Sequence, residues 1–297
     1  MDSRNERSML LNISTTRNDY NGFNNIARLA DATKDLLIES VKLDFAECRF
    51  FEANMSAPLY SVISRLFDNL NEVSIINLAT DTQTILKKNC FLKIFGVETQ
   101  NDNNQTTLPF KIFKMHAGGQ FSEYLDSYMR GRGIPAMTGA LRKRFMQSLF
   151  EIFQNAAIHS RSEHGIFVCG QFYPNKHRLN FTIADAGIGI RENVRSFTRS
   201  NINSCQAIKW AMTEGNTTKT GGQPGGLGLK LIKDFVRING GKLQIVSHYG
   251  FYEFSAENEC LQRLSYVLPG TCVNIEINTN DTNTYDLGTG LTVQDIF

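Results

Sequence analysis

The chain has 297 residues, of which 41% are hydrophobic and 20% are charged, and its formal net charge is +2. This composition is typical of a globular protein, and the small charge argues against nucleic acid or an anionic membrane surface as a partner. No apolar run approaches the roughly 20 residues that cross a bilayer, and we expect no signal peptide. The six cysteines include no C-x-x-C pair, which favours reduced thiols and a cytoplasmic location.

The first 110 residues predict alternating strands and helices. The patterns indicate strands at 41–48 and 72–80 and helices at 55–70 and 81–96. A polar, Asn-rich stretch, 97–110, follows and ends close to a proline, which is typical of an exposed loop or boundary. We therefore predict an α/β protein with domains at 1–110 and 111–280 and a polar tail at 281–297.

The second half combines longer helices with a hairpin. An apolar helical stripe follows Thr138 and runs to residue 160, and an amphipathic helix spans 229–239 before two glycines. Two alternating segments on either side of "PNKH" predict a β-hairpin. Further strands are predicted at 242–249 and 271–278.

Three polar residues share one face of the helix predicted at 138–160. Glu151, Asn155 and His159 are four residues apart, so each is rotated by only about 40° from the last. An amide oxygen such as that of Asn155 is a fair ligand for Mg²⁺ that also meets substrate phosphates. A glutamate one turn earlier can orient or deprotonate a water molecule. Taken alone, the same spacing also fits the polar edge of an amphipathic helix.

A glycine-containing loop follows the strand that ends at Asp185. Gly187 and Gly189 permit close approach of the backbone or a positive φ. The Asp185 carboxylate can accept a hydrogen bond from an exocyclic amine such as that of adenine. An ordinary strand-to-loop turn is the alternative for this segment by itself.

A second glycine-rich stretch leads into a helix. "GGLGLK" includes Gly226 and Gly228, and the free amides at a helix N-terminus favour phosphate. The preceding loop carries Thr217, Thr218 and Lys219 and is suited to close over a triphosphate. A Walker-type loop is excluded because Gly241-Lys242 lacks the required upstream glycine. Neither candidate dinucleotide fingerprint has its third glycine.

The order of these three segments resembles the GHKL ATP-binding superfamily, which includes gyrase, MutL and the histidine-kinase ATPase domains. The matching motifs are "EIFQNAAIH", "DAGIG" and "GGLGL", and the resemblance spans about residues 138–277. It implies a Bergerat α/β sandwich, a mixed sheet with helices on one face. It also implies ATP and Mg²⁺ as ligands.

The resemblance assigns roles to individual residues. Glu151 would be catalytic, and Asn155 would hold Mg²⁺. Asp185 would contact adenine, with Thr271 of the late "PGT" close to it. The nucleotide-binding residues implied are Asn155, His159, Asp185, Gly187, Gly189, Thr218, Lys219, Gly226, Leu227, Gly228, Leu229 and Thr271.

Within this superfamily, the E-x-x-x-N-A-x-x-H form is most similar to the anti-sigma-factor serine kinases. The pattern at 41–80 resembles a STAS domain, the fold of anti-sigma-factor antagonists. The usual Asp-Ser-Ser turn is replaced by Glu52-Ala53-Asn54, so the resemblance implies a regulatory STAS-like module without an acceptor serine, although Ser56 lies close by.

We therefore expect a Mg-ATP-binding signalling protein that hydrolyses ATP or phosphorylates a partner protein on Ser or Thr. The alternative is an ATP-gated binding module with little or no catalysis. A protein partner is expected at the STAS-like domain, and nucleic acid and membranes are not expected. The sequence leaves the oligomeric state open, a homodimer included.

Overall fold

The computed structural model of the chain describes residues 8–217, 227–283 and 285, with only the backbone of Leu227. The strands are β1 (Ser8–Asn12), β2 (Ser40–Asp44), β3 (Glu72–Ile76), β4 (Thr107–Phe113), β5 (Ile166–Tyr173), β6 (Arg178–Asp185), β7 (Lys242–Ser255) and β8 (Glu259–Asn278). The helices are α1 (Tyr20–Thr33), α2 (Ser56–Asp68), α3 (Thr80–Lys88), α4 (Gly118–Tyr128), α5 (Gly139–His159), α6 (Gly189–Thr198), α7 (Ser204–Met212) and α8 (Leu227–Asn239).

The larger of the two described sheets has the strand order β4-β5-β6-β8-β7. All of its neighbouring strands are antiparallel, so the expectation of a mixed sheet is wrong for the strands described. The physical reason is the connectivity: β5–β6 and β7–β8 are hairpins, whose strands must run in opposite directions. The predicted hairpin at "PNKH" is confirmed, because a short turn, Pro174–Lys176, joins β5 to β6.

One face of the large sheet is covered by helices of the second half. Helix α5 begins after Thr138, whose side chain accepts a hydrogen bond from the Leu141 backbone N–H. Its apolar stripe packs on α8, where the rings of Phe145 and Phe235 lie 4.9 Å apart. The described part of the predicted polar tail is attached here, because Tyr285 is buried against Phe235.

The opposite face of the large sheet is covered by α1 and α2. The expectation of helices on one face is therefore wrong. Side chains alternate along a strand, so Phe167 and Ala184 face the first half of the chain while Val168 and Ile183 face α5 and α8. Both faces are apolar enough to require a cover.

The second described sheet is small and parallel, with the order β1-β2-β3. Its buried side chains Val41 and Leu43 belong to the same hydrophobic cluster as Phe167 and Val246 of the large sheet. Helix α2 contacts both sheets. The sequence predicted β2, β3, α2 and α3 with somewhat longer bounds, but it predicted neither β1 nor α1. The STAS-like identity of this half stays a prediction.

A buried polar seam joins the two halves of the chain. The Asn54 amide donates to Thr182 Oγ1 at 3.2 Å and to Asn274 Oδ1 at 3.1 Å. The Ala53 backbone N–H donates to Gln171 Oε1 at 2.7 Å, and Glu52 pairs with Arg178 at 2.6 Å. The Glu52-Ala53-Asn54 turn is therefore docked into the large sheet.

Ser56 lies directly after this turn and is fully buried. Its hydroxyl accepts a hydrogen bond from the Asn89 amide at 3.2 Å. The Ser56 hydroxyl is therefore not accessible from solvent in this fold. The predicted boundary at residue 110 falls inside β4, and the division into domains stays a prediction. Among the described residues, no helix combines the length and apolar character needed to span a membrane.

Candidate functional site

A pocket lies where α5 meets the large sheet. Its walls come from the helices α5, α6, α7 and α8, the end of β6 and interior positions of β7 and β8. The sequence-predicted residues that line it are Asn155, His159, Asp185, Gly189, Leu229 and Thr271. Residues that are more than 100 positions apart in the chain are thus brought to one cavity.

Asn155 projects into this pocket from α5. Ile152, Ala156 and His159 line the pocket beside it, as expected for positions three or four residues apart on a helix. The helical face predicted from the spacing of Asn155 and His159 is therefore the one that borders the cavity.

Asp185 ends strand β6 and is 3% exposed. Burial raises the pKa of its carboxyl group to about 7, although the backbone N–H groups of Gly187 and Thr271 and the charge of Arg65 lower it. The Gly187 N–H donates to Asp185 Oδ1 at 2.8 Å. A carboxylate in such a place is a strong acceptor for any donor that enters the pocket.

The two glycines of the loop are required by the protein itself. A Cβ at Gly187 would lie 1.9 Å from the Ser160 carbonyl oxygen, which closes the end of α5. Gly189 has a φ of +74°, and a Cβ there would lie 2.8 Å from Ser247 Oγ. The glycines therefore let the loop pack against α5 and β7, and this packing fixes the position of Asp185.

Ser247 is a structural residue of the site that the sequence did not indicate. Its hydroxyl accepts from the Ile190 backbone N–H at 2.9 Å and donates to the Gly270 carbonyl at 2.9 Å. Thr271 Oγ1 lies 3.1 Å away. Ser247 thus ties α6 to the "PGT" turn, and a serine in a predicted strand carries no signal of this role.

Glu151 does not line the pocket but lies beside the start of α8. A Cβ at Gly228 would be 2.7 Å from Glu151 Oε2, so the glycine makes room for the carboxylate. The first turn of a helix presents free N–H groups that favour phosphate. Glu151 therefore lies next to a suitable phosphate site, one helical turn from Asn155.

These positions lie within a segment that matches a known protein family. Residues 140–281 match the model for the histidine kinase-, DNA gyrase B- and HSP90-like ATPases. This segment is a GHKL-type ATPase domain. The domain implies that the protein binds ATP. No curated protein and no solved structure matches the chain.

Part of the predicted nucleotide site of the ATPase domain cannot be placed. Thr218, Lys219 and Gly226 lie outside the described residues, as does the Leu227 side chain. Leu229 lines the pocket from α8, as the motif predicts. The individual roles of all these residues, and the anti-sigma-factor kinase type, stay predictions.

Trp210 of α7 lies in the wall of the pocket. Its ring lies 6.0 Å from that of Phe197. Asn216 and Thr217 also line the pocket. Asn193 lines it from α6, and its amide donates to the His159 carbonyl at 2.9 Å. Neither Asn193 nor Asn216 belongs to one of the predicted motifs, so local patterns do not select them.

The donor set of the ATPase domain fits a metal ion that is shared with the nucleotide. No group of three or more His, Cys, Asp or Glu side chains suited to a metal occurs among the described residues. Mg²⁺ usually takes one or two protein ligands together with substrate phosphates and water. Asn155 alone is consistent with that mode of binding.

Proposed function

We propose that this protein binds Mg-ATP in the pocket of its ATPase domain and hydrolyses it or transfers the γ-phosphate to Ser or Thr of a partner protein. The observation that supports catalysis is the position of Glu151. Its carboxylate borders the first turn of α8, and Asn155 lies one helical turn away in the pocket wall.

Each residue of the site has a separate role in this proposal. Asp185 accepts a hydrogen bond from the adenine amine, since its carboxylate is buried at the pocket wall. Asn155 holds Mg²⁺, which when bound neutralises phosphate charge and orients the nucleotide. The free amides at the start of α8 receive phosphate oxygens. Glu151 takes the proton of the attacking water or hydroxyl.

The test is a turnover assay with Mg²⁺ and ATP labelled on the γ-phosphate, run with and without host-cell extract. We expect label to appear as free phosphate or on protein with the wild type, and not with Asn155→Ala. Glu151→Gln should retain ATP affinity and lose about a hundredfold or more in rate, because a general base contributes about that much. The destination of the label distinguishes an ATPase from a protein kinase.

The matched control is Glu123→Gln, since Glu123 is an exposed glutamate on α4. This variant should keep both ATP affinity and rate. Equal loss of affinity and turnover in Glu151→Gln would contradict a catalytic role. ATP binding by the wild type without any turnover would sink the enzyme proposal.

The second candidate is an ATP-gated binding module with little catalysis. It is favoured by the direct contact of α2 with the loop after Asp185, which gives the nucleotide site a route to the first half of the chain. A non-hydrolysable ATP analogue should then protect the amides of α2 from hydrogen exchange as well as ATP does. Absence of protection by either nucleotide would exclude it. A protein partner, a homodimer and a cytoplasmic location belong to both proposals.

A further inference from the structure

One side chain from outside the ATPase domain reaches its nucleotide loop. Arg65 lies near the end of α2, and its Nη2 donates to the Ala186 carbonyl at 3.1 Å and to the Gly187 carbonyl at 3.4 Å. The family match starts at residue 140, so this contact is supplied by the first half of the chain.

The two carbonyls belong to the peptide units that position Asp185. In a trans peptide the C=O and the following N–H point in opposite directions. The unit of the Ala186 carbonyl carries the Gly187 N–H, which donates to Asp185 Oδ1 at 2.8 Å. The unit of the Gly187 carbonyl carries the Ile188 N–H, which donates to the Ser160 carbonyl at 2.8 Å. Arg65 therefore holds the outer side of both units.

We propose that Arg65 is a positioning residue of the ATP site, which orients the Asp185 carboxylate by fixing the two peptide units after it. This proposal rests on the proposed function, because it assigns Asp185 to adenine. An arginine suits the task since its planar fork presents several N–H donors in fixed geometry, whereas a lysine presents a single ammonium. Hydrogen bonds in series also polarise one another. The bond from Arg65 to the Ala186 carbonyl therefore strengthens the bond that Asp185 Oδ1 accepts from the Gly187 N–H.

A second contact anchors the same turn of α2. His164, in the segment between α5 and β5, lies with its Nε2 2.7 Å from Asp68 Oδ2. The last turn of α2 is thus attached both to the loop after β6 and to the segment after α5. The turn of α2 that carries Arg65 is therefore anchored at two points.

The charge of Arg65 also acts on Asp185. The titratable or charged side chains around this carboxyl are Arg65 from α2, His159 from α5, His248 from β7 and Cys272 from β8. Burial raises the pKa of the Cys272 thiol and lowers the pKa of His248, so both are neutral near pH 7. The positive charge of Arg65 lowers the pKa of Asp185 against the larger effect of burial.

The first test needs no nucleotide. Hydrogen exchange is measured on the free full-length protein for the wild type and for the variants Arg65→Met, Arg65→Lys and Arg28→Met. Arg28→Met is the control, because Arg28 is an exposed arginine on the adjacent helix α1. We expect Arg65→Met to speed exchange at the Gly187 and Ile188 amides by about tenfold, as loss of hydrogen bonds from a charged donor predicts. Unchanged exchange at both amides would overturn the proposal.

The second test measures adenosine affinity from pH 5.5 to 8.5, because adenosine has no phosphate that titrates. We expect affinity to rise with pH in the wild type and the midpoint to move to higher pH in Arg65→Met. Arg65→Lys should keep the midpoint with weaker binding, and Asp185→Asn should abolish the pH dependence. Melting temperatures show whether each variant is folded.

The two proposals fail in different ways. If the wild type binds neither adenosine nor ATP while exchange responds to Arg65→Met, the proposed function fails and the positioning role stands. If the wild type binds adenosine and Arg65→Met leaves both affinity and midpoint unchanged, Arg65 has no positioning role although the ATP site is real.

Discussion

Asp185 has to remain ionisable in a place that disfavours its charge. The side chain is 3% exposed, and burial raises its pKa to about 7. The free protein therefore contains a carboxyl group that stays partly protonated at neutral pH, whereas the same group ionises near pH 4 in an unfolded chain. An incoming amine relieves this cost by donating to the carboxylate. The instability of the empty site thus favours binding.

Asp185→Asn should stabilise the nucleotide-free protein at pH 8. Below about pH 4 the carboxyl is protonated in both states, and between about pH 4 and pH 7 it ionises in the unfolded chain first, so the free energy of unfolding falls as pH rises. A difference of about three pH units corresponds to about 4 kcal/mol in all, of which about 3 kcal/mol is lost between pH 5 and pH 8, and the amide does not lose it. The measurement is urea unfolding of both proteins at pH 5 and pH 8.

The contribution of Asp185 to the pH dependence is obtained by subtraction. It is the change in unfolding free energy of the wild type between pH 5 and pH 8 minus the same change in Asp185→Asn. A parallel pH dependence of wild type and Asp185→Asn would show that this carboxyl ionises normally in the folded state.

Gly187→Ala should be severely destabilising. Its Cβ would lie 1.9 Å from the backbone oxygen of Ser160, and a backbone atom cannot move away without breaking the end of α5. Such a clash costs about 2–4 kcal/mol. The control is Gly119→Ala on α4, where a Cβ meets nothing within 4 Å and should leave the melting temperature unchanged or higher. Equal stability of the two variants would refute the close approach.

At this scale, the residues that the sequence indicated are those whose chemistry appears as a local pattern. Asn155 and His159 share a helical face, and Asp185 precedes two glycines, so their spacing alone selected them. Ser247 and Arg65 act on the same loop from positions 57 and 121 residues away from their partners. Local patterns contain no information about such contacts.

At the scale of elements, the buried polar seam determines how the first half of the chain meets the large sheet. Asn54 is at its centre, where its amide reaches two strands of the sheet and its carbonyl accepts from the Cys169 thiol at 3.2 Å. A polar contact of this kind is specific because every unpaired group in it is costly. The seam therefore defines one docking position for the 3-10 turn before α2.

Asn54→Ala should lower the free energy of unfolding by about 1–3 kcal/mol, because it leaves Thr182 and Asn274 without this donor in a buried place. Asn101→Ala is the control, since Asn101 is exposed in the polar loop before β4 and does not have a positive φ. That variant should change stability by less than about 0.5 kcal/mol. Chemical unfolding gives the free energy of unfolding of both variants. Equal losses would show that the buried polar seam does not contribute to stability.

The elements predicted best have strong periodicity and a clear end signal. Helix α5 follows a threonine cap and keeps an apolar stripe through its length, and β5–β6 flank a short turn. The strands β7 and β8 are longer than predicted because their pairing continues through irregular register near His248, where alternation is interrupted. Helix α1 was not predicted, since its asparagines and Gly22 weaken the helical pattern.

At the scale of the whole molecule, the first half of the chain acts as a cover for the ATPase sheet. The cluster that contains Val41 and Leu43 also contains Phe167, Val246 and Phe251 of the large sheet. Two separately folded domains would each need a closed core, whereas this core is shared across the predicted boundary. The alternation along β5 and β6 predicted the two strands, but it did not indicate that a segment of the first half covers their second face.

A fragment of residues 111–297 should therefore fail to fold cooperatively. Removal of the first 110 residues exposes the second face of the sheet and cuts β4, which begins at Thr107. The measurement is calorimetric unfolding of the fragment beside the full chain. A single sharp transition in the soluble fragment would contradict a shared core and support two independent domains.

The central claim is that the pocket between Asn155 and Asp185 binds ATP through its adenine. The most direct measurement is the equilibrium affinity of wild type and Asp185→Asn for ATP and for GTP in the presence of Mg²⁺. The wild type should prefer ATP, and Asp185→Asn should lose about tenfold or more in ATP affinity, because an amide donor then faces the adenine amine. Equal binding of ATP and GTP by the wild type, unaffected by Asp185→Asn, would contradict the claim.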